Sequence, residues 1–407
     1  MTNLLWPGDE RAGDHMTDQA LLQSMVAVES AWLDALSSAG LAPVEGADLM
    51  HLVGPNDCEM LAMTAEGGGN PVINLVALLR QRAVPAVAPW IHRGLTSQDV
   101  LDTSLMLAVR AVVDQLLSLL AEQISALSGL AGAHRATPMV ARTLTQHAAP
   151  TTFGAKAAVW LNGVVDAHQR LSALVMPVQV GGAVGTWSAT TELATLAGAD
   201  DPAGVAEDVV RGAATRLGLQ ARLPWHTTRA PVTVAADAFV GCNDCWGRIA
   251  SDVVTLARPE IAEVSEPAGQ RRGGSSSMPH KHNPVLSILI RRAAMSAPQL
   301  AATLHIAAAL ANDERPDGAW HAEWDTLRTL ARRTLIAGSQ CAELLGGLQA
   351  HPARMAENLR AADVLGEQRA IADLVDQEPS PTYFGAVDRL IDASLRRAAP
   401  ILSDRGV

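Results

Sequence analysis

Cysteine is scarce in this chain, and the few cysteines present are not spaced as a zinc site requires. The 407 residues contain four, of which Cys242 and Cys245 form a single Cys-x-x-Cys pair inside a helical pattern. A structural zinc site of this kind needs a second pair of ligands, and no second Cys-x-x-Cys occurs. We interpret the two residues as small buried thiols on a helix, in a protein that keeps its thiols reduced.

Signals for export, membrane insertion and nucleic-acid binding are also lacking. Residues 1–10 contain no basic segment followed by an apolar one. No uncharged apolar run reaches the ~18 residues of a membrane span. The net charge of −11 disfavours nucleic acid and anionic membranes as partners, because both would be repelled. These absences predict a cytoplasmic protein in which an anionic substrate would need a local basic pocket.

Strand-like alternation is rare, whereas helical periodicity extends through most of the sequence. Residues 46–70 mix short helical pieces with a turn, and the Gly-, Thr- and Val-rich residues 177–191 are typical of a loop. Long helices are predicted at 17–40, over roughly 29–32 residues from Asp102, and at 154–175, 231–258, 284–311 and 321–347. One face of the helix from Asp102 is apolar through Leu105, Val109, Val112, Leu116 and Leu120.

This pattern predicts an all-α fold, built as an elongated helical bundle. With 48% hydrophobic residues, the chain can bury a large core. We expect three domains, namely an N-terminal helical domain at 1–98, a central bundle of long helices at 99–347 and a short C-terminal helical domain at 348–407. Charge and proline increase in the last of these.

Residues 273–284, hereafter the serine loop, read Gly-Gly-Ser-Ser-Ser-Met-Pro-His-Lys-His-Asn-Pro. Glycine, serine and proline disfavour a regular helix or strand, and long helical segments flank the loop on both sides. A polar loop held between rigid helices is a common place for binding and catalysis, so a solvated linker is the weaker interpretation. The loop carries hydroxyls, a cation, an amide and two imidazoles, on Ser275, Ser276, Ser277, His280, Lys281, His282 and Asn283.

Two other stretches carry grouped polar side chains. Residues 91–103 contain His92, Thr96 and Ser97 just before the long helix, where hydroxyl groups at a helix N-terminus can bind an anion. Ser97 or Asp99 could instead simply cap the helix, and both roles stay open. The second stretch, residues 141–154, contributes the polar side chains of Arg142, Thr143 and Gln146.

The serine loop matches the pattern Gly-Ser-Ser-x-Met-Pro-x-Lys-x-Asn-Pro at every fixed position and therefore closely resembles the fumarase/aspartase superfamily. Residues 91–103 resemble its His-x-Gly-x-Thr-Ser-x-Asp motif, and residues 141–154 resemble its Gly-Arg-Thr-His-x-Gln motif. The resemblance implies an enzyme that forms or breaks a C–X bond β to a carboxylate. It also implies a homotetramer around a shared helical core, with active sites assembled from three chains.

One departure from the superfamily's pattern is informative. Leu144 stands where related lyases have a histidine linked to protonating the leaving group, and leucine cannot transfer a proton. A carboxylate, with a pKa of about 4, departs without an acid. Lactone opening and closure use such a leaving group, which points to the lactone-forming branch, the 3-carboxy-cis,cis-muconate cycloisomerases. Resemblance to that branch is carried by residues 67–73, 96–100, 142–154, 224–229 and 320–324.

The resemblance predicts closure of a small polycarboxylate, 3-carboxy-cis,cis-muconate, to 4-carboxymuconolactone. Ser276 is the expected proton-transfer residue, and Ser275 and His92 are the other catalytic candidates. Backbone N–H groups of the serine loop could stabilise a serine alkoxide, with charge added by Lys281. No metal or cofactor is expected, since the two histidines of the loop have no nearby third ligand. The expected substrate-binding residues are Thr96, Ser97, Arg142, Thr143, Gln146, Lys281 and Asn283.

Three alternatives stay open. A lyase that expels nitrite from nitrosuccinate is the nearest, because nitrite also leaves without an acid. An adenylosuccinate-type lyase would lack its usual histidine, and a non-catalytic helical scaffold would have no use for the serine loop. Departures from the cycloisomerase pattern at Arg93, His282 and residues 312–315 bear on the choice of substrate.

Overall fold

The structure is a computed structural model that describes residues 3–44, 48–267, 269, 273–274, 278 and 281–403. Within these residues the fold is mostly helical, as the sequence predicts. The α-helices are α1 Asp18–Ser38, α2 Asp57–Thr64, α3 Val72–Arg82, α4 Ser97–Ala133, α5 Phe153–Ser172, α6 Ser188–Leu196, α7 Pro202–Leu217, α8 Ala230–Leu256, α9 Val285–Ala309, α10 Gly318–Gly346, α11 Pro352–Ala361, α12 Gly366–Leu374 and α13 Val387–Ser403. The strands are β1 Pro138–Thr143, β2 Gln146–Thr152, β3 Val264–Ser265 and β4 Gln349–Ala350, and short 3-10 helices span Asp9–Ala12, Met50–Leu52, Ala65–Gly68 and Ala88–Trp90.

Helix α4 is the longest, with 37 residues, and it differs from its prediction by beginning at Ser97 instead of Asp102. The earlier start arises because the Asp99 carboxylate accepts the backbone N–H of Thr96 at 3.0 Å, which caps the helix ahead of Asp102. The predicted apolar face is confirmed, since its five residues are at most 3% exposed. The helix is long and apolar enough to cross a membrane, but 56% of its most apolar window is buried, as in a core helix.

The strands β1 and β2 form an antiparallel hairpin that the sequence analysis did not predict. Its two-residue turn consists of Leu144 and Thr145, both with positive φ (48° and 70°), which is the backbone of a type I′ turn. Such turns usually carry Asn-Gly or Asp-Gly, so this one gives no sequence signal. The predicted loop at 177–191 is correct up to Ser188, where α6 begins.

By its internal contacts the chain divides into two compact units. The first comprises Met1–Asp114, Leu174–Asp237 and Gln299–Arg332, and within it α1 packs against α7. The second comprises Gln115–Ala173, Ala238–Pro298 and Arg333–Val407, and within it α13 packs against α5 while α11 packs against β1. The division into an N-terminal, a central and a C-terminal domain stays a prediction.

A buried ion-pair network holds α4, α8 and α10 together within the first unit. Arg229 donates to Asp102 at 2.7 Å and to Glu323 at 2.5 Å, and all three side chains are at most 1% exposed. The indole of Trp320 donates to Asp102 at 2.9 Å. Burial alone lowers the pKa of the Arg229 guanidinium, but the two carboxylates outweigh it and raise that pKa. Burial also raises the pKa of Glu323.

The Cys-x-x-Cys pair lies on α8, as expected for structural thiols. Cys242 is fully buried, and burial raises the pKa of its thiol to about 12. The pKa of Cys245 is likewise well above its ordinary value because of burial. Neither thiol is poised to react at neutral pH.

Candidate active site

The turn at residues 91–97, hereafter the His92 turn, places a histidine against a buried acid. His92 has a φ of 62°, and its Nδ1 lies 2.6 Å from Oε1 of Glu29 on α1. The turn is fixed on both sides of the histidine. Trp32 donates its indole N–H to the carbonyl of Arg93 at 2.7 Å, and Arg80 donates to the carbonyl of Ile91 at 2.8 Å.

A single carboxylate fixes the hydroxyl-bearing end of this turn. Asp99, which is fully buried, accepts the backbone N–H of Thr96 and joins it to the glycine-rich loop that precedes α6. Its further partners are the Gln179 amide and His226 Nε2 at 3.0 and 2.9 Å, and the backbone N–H groups of Gly181 and Gly182, both at 2.9 Å. Both predicted roles of this segment therefore fit the geometry: Asp99 caps the helix, and the half-buried side chains of Thr96 and Ser97 are left at its N-terminus.

The hairpin tip, residues 143–146, presents three of the residues selected from the sequence. Thr143 and Gln146 pair directly across the turn, and both are exposed. Leu144 is 95% exposed, which is unusual for a large apolar side chain. The tip therefore carries donors, an apolar side chain and no ionisable group.

Arg142 is held in an ion pair of its own. Its terminal nitrogens donate to the two oxygens of Glu263 at 2.9 and 3.0 Å, and Glu263 is fully buried. Asn358 also donates to Glu263, at 2.8 Å. This bidentate pair anchors β1 to the segment before β3, so the geometry gives Arg142 a structural role. Its predicted binding of substrate stays a prediction.

The serine loop is described only in part, and Ser275, Ser276, Ser277 and His280 lie outside the described residues. At its base, the carbonyl of Gly273 accepts the backbone and side-chain N–H groups of Asn283 at 2.8 and 3.1 Å. Glu266 accepts the N–H groups of Leu286 and Ser287 at the start of α9. Lys281 is exposed, and a cavity of about 350 Å³ lies beside Gly273 and Asn283.

The site residues thus fall into three groups, each positioned by its own element. His92, Thr96 and Ser97 lie together on the His92 turn in the first unit. Arg142, Thr143 and Gln146 lie on the hairpin, and Lys281 and Asn283 end the serine loop, both in the second unit. Within the described part of the chain, no group of three or more His, Cys, Asp or Glu side chains is arranged to hold a metal ion.

Comparison with known proteins identifies the family. A family model described as "Lyase" matches residues 58–298, which is more than half of the chain. The chain belongs to the fumarase/aspartase superfamily of lyases. The family and the all-α fold predicted from the serine loop and the helical pattern are thereby confirmed.

Individual members of the superfamily align over nearly the whole chain. A nitrosuccinate lyase from Streptomyces davaonensis is 43% identical, covering 96% of this chain and 82% of that protein. A 3-carboxy-cis,cis-muconate cycloisomerase from Bradyrhizobium diazoefficiens is 37% identical, covering 94% and 83%. The crystal structure of 3-carboxy-cis,cis-muconate lactonizing enzyme from Pseudomonas putida superimposes with a TM-score of 0.78 at 30% identity, covering 96% of this chain and 85% of that one.

Two residues important to the site's geometry were missed by sequence reasoning. Glu29 gave a signal that could have been used, because it is a single acid within the apolar run of α1 that includes Val28 and Trp32. His226 lies within the resemblance at residues 224–229, but its link to Asp99 crosses 127 residues of sequence and could not be predicted from spacing. Both act by fixing the His92 turn and are not themselves at its exposed edge.

Proposed function

We propose that this lyase eliminates a weakly basic anion from a substituted succinate, with nitrosuccinate as the substrate and fumarate and nitrite as the products. The observation that carries the proposal is Leu144 at the hairpin tip. It cannot protonate a leaving group, and nitrite is a stable anion that departs without protonation. The nitrosuccinate lyase that is 43% identical along almost the whole chain supports the same substrate.

The reaction proceeds in two balanced steps. A base removes a proton from the carbon that does not carry the nitro group. The electron pair left behind is delocalised into the carboxylate attached to that carbon. The pair then forms the carbon–carbon double bond of fumarate while the C–N bond breaks and nitrite carries away the bonding electrons. The proton passes to the base and from there to water. The enzyme has to stabilise the doubly charged carboxylate of the intermediate, which is where fixed dipoles and cations contribute most.

The roles of the site residues follow from this chemistry. Ser276 takes the proton, as an alkoxide held by backbone N–H groups of the serine loop and by Lys281. Lys281 and Asn283 end the same loop and bind the carboxylate that accumulates charge. His92, Thr96 and Ser97 bind the second carboxylate. Thr143 and Gln146 donate hydrogen bonds to the substrate from the hairpin tip. Leu144, at the same tip, has no group that could protonate the leaving group.

The enzyme functions as a cytoplasmic homotetramer in which three chains build each active site. The exposed hairpin tip supports this assembly, because a leucine that is 95% exposed in one chain is covered if it enters a neighbouring chain's site. Size measurement in solution, by light scattering, tests the tetramer.

Lactonisation of 3-carboxy-cis,cis-muconate is the second candidate. It also needs no acid at position 144, and cycloisomerases are 37% identical to this chain. The departures at Arg93, His282 and residues 312–315 weigh against it, because charged positions around the substrate differ from the cycloisomerase pattern.

Parallel assays on purified protein distinguish the two candidates. With nitrosuccinate, we expect nitrite and fumarate to appear in equal amounts, measured by a colorimetric nitrite assay and by fumarate absorbance. With 3-carboxy-cis,cis-muconate, we expect no enzyme-dependent loss of the diene absorbance. Rapid loss of that absorbance without nitrite release from nitrosuccinate would make the chain a cycloisomerase. Activity on neither substrate would overturn both candidates.

A further inference from the structure

Glu29 is a buried carboxylate with no role in the chemistry described so far. It lies in the middle of α1 and is completely inaccessible to solvent, beside the buried side chains of Val26 and Trp32. Burying a carboxylate is costly unless it is paired. Among the residues that the structure describes, its one hydrogen bond is to Nδ1 of His92 at 2.6 Å, and its Oε2 is buried without a partner.

The backbone is shaped to keep this contact. His92 adopts a left-handed conformation, which is strained for a non-glycine residue and is found most often at functional positions. The bond from Trp32 to the Arg93 carbonyl comes from the next turn of the same helix that carries Glu29. The backbone therefore adopts a strained conformation that places the imidazole ring against the acid. A turn that only led into a helix would not need this conformation.

The contact determines where the ring protons lie. A carboxylate can only accept, so Nδ1 of His92 must carry a proton. The side chain is 17% exposed while Glu29 is fully covered, so the reachable edge of the ring is the one that carries Nε2.

From this geometry we infer that Glu29 is the positioning residue for His92: it accepts the Nδ1 proton and thereby holds the ring with its Nε2 edge toward a carboxylate of the substrate. The inference rests on the proposed function for the identity of the substrate, but not for the state of the ring. Glu29 touches no substrate atom and acts only through His92. The hydroxyl groups of Thr96 and Ser97, on the same turn, offer further donors to the same carboxylate.

The first experiment determines which ring nitrogen of His92 carries a proton in the absence of substrate. Protein labelled with ¹⁵N-histidine is compared with the variant E29Q at about pH 8, and the His92 signals are assigned by their loss in H92N. In the wild type we expect Nδ1 to be protonated. In E29Q we expect that preference to weaken, because a neutral amide oxygen accepts a hydrogen bond less strongly than a carboxylate and a free neutral imidazole favours a proton on Nε2. Identical spectra would overturn the inference, whichever reaction the enzyme catalyses.

The second experiment tests the coupling by a double-mutant cycle with nitrosuccinate. Loss of a charge-assisted hydrogen bond predicts that E29Q raises KM about ten-fold or more, with kcat changed much less. H92N should raise KM at least as much, and E29Q should add nothing in the H92N background. Effects that multiply, or a fall in kcat alone, would mean that Glu29 has a purely structural role.

Controls separate these outcomes from misfolding. Glu192 is an exposed acid on α6, and E192Q removes the same charge without touching the turn, so its KM should match the wild type. Thermal unfolding of E29Q should stay close to that of the wild type, because glutamine fills the same volume. If nitrosuccinate proves not to be the substrate, the ¹⁵N spectra still decide whether Glu29 sets the protons on His92.

Discussion

The variant S276A is expected to lower kcat by about 10²–10⁴-fold, the usual contribution of a positioned proton-transfer group. Serine is a weak base, so its activity depends on surroundings that stabilise the alkoxide. The proposed mechanism assigns that stabilisation to backbone N–H groups of the serine loop and to the charge of Lys281. The base of the loop is fixed by the two bonds between Asn283 and the Gly273 carbonyl, so an alanine in the loop should leave its anchoring intact.

The measurement is steady-state nitrite release, with S277A as the matched control. Ser277 is a neighbouring hydroxyl in the same loop to which the mechanism gives no role, so S277A should keep most of the activity. The helical circular dichroism and the unfolding temperature of both variants should match the wild type. Comparable activity in S276A and S277A would remove Ser276 from the mechanism and leave Ser275 as the next candidate.

The largest effect on stability is expected from R229M. Methionine keeps much of the volume of Arg229 but leaves Asp102 and Glu323 buried without their cation. Breaking a buried pair in this way costs about 3–5 kcal/mol in the free energy of unfolding. Urea unfolding measures the loss. The exposed Arg211 is the control, since it pairs with Glu207 and Asp208 on the surface and R211M should cost less than about 1 kcal/mol.

The loss in the free energy of unfolding caused by R229M, its deficit relative to the wild type, should change with pH in one direction. Burial already raises the pKa of Glu323, and removing the neighbouring cation raises it further. An acid whose pKa is raised on folding stabilises the folded state while it is protonated, and that contribution is lost as pH rises. The deficit should therefore be smaller at mildly acidic pH than at alkaline pH. A deficit equal to that of R211M would show that the network contributes little.

The sequence predicts the helices well because their physical cause is local. In α4 the apolar residues from Leu105 to Leu120 repeat at helical spacing, and the structure buries them. The type I′ turn at Leu144 and Thr145 was not predicted, because its backbone conformation is imposed by the pairing of β1 with β2 and not by turn residues. The start of α4 was predicted five residues late because the cap comes from Asp99, whose carboxylate also binds the distant loop before α6.

The candidate site was predictable where a motif is contiguous and not where partners meet through the fold. The serine loop and the His92 turn are short segments whose residues could be selected directly. Glu29 lies 63 residues before His92, and His226 lies 127 residues after Asp99, so neither contact is encoded in local spacing. Arg142 was selected by its motif, and its ion pair with Glu263 was not predicted; its binding of substrate stays a prediction.

The most direct test of the central claim compares two substrates that differ only in the leaving group. Nitrosuccinate and malate share one carbon skeleton and the same carboxylates, but nitrite departs unaided whereas hydroxide needs an acid. With Leu144 at the hairpin tip, we predict release of nitrite and fumarate from nitrosuccinate and no formation of fumarate from malate. Fumarate formation from malate at a comparable rate would contradict the account, because it would require an acid that Leu144 does not supply.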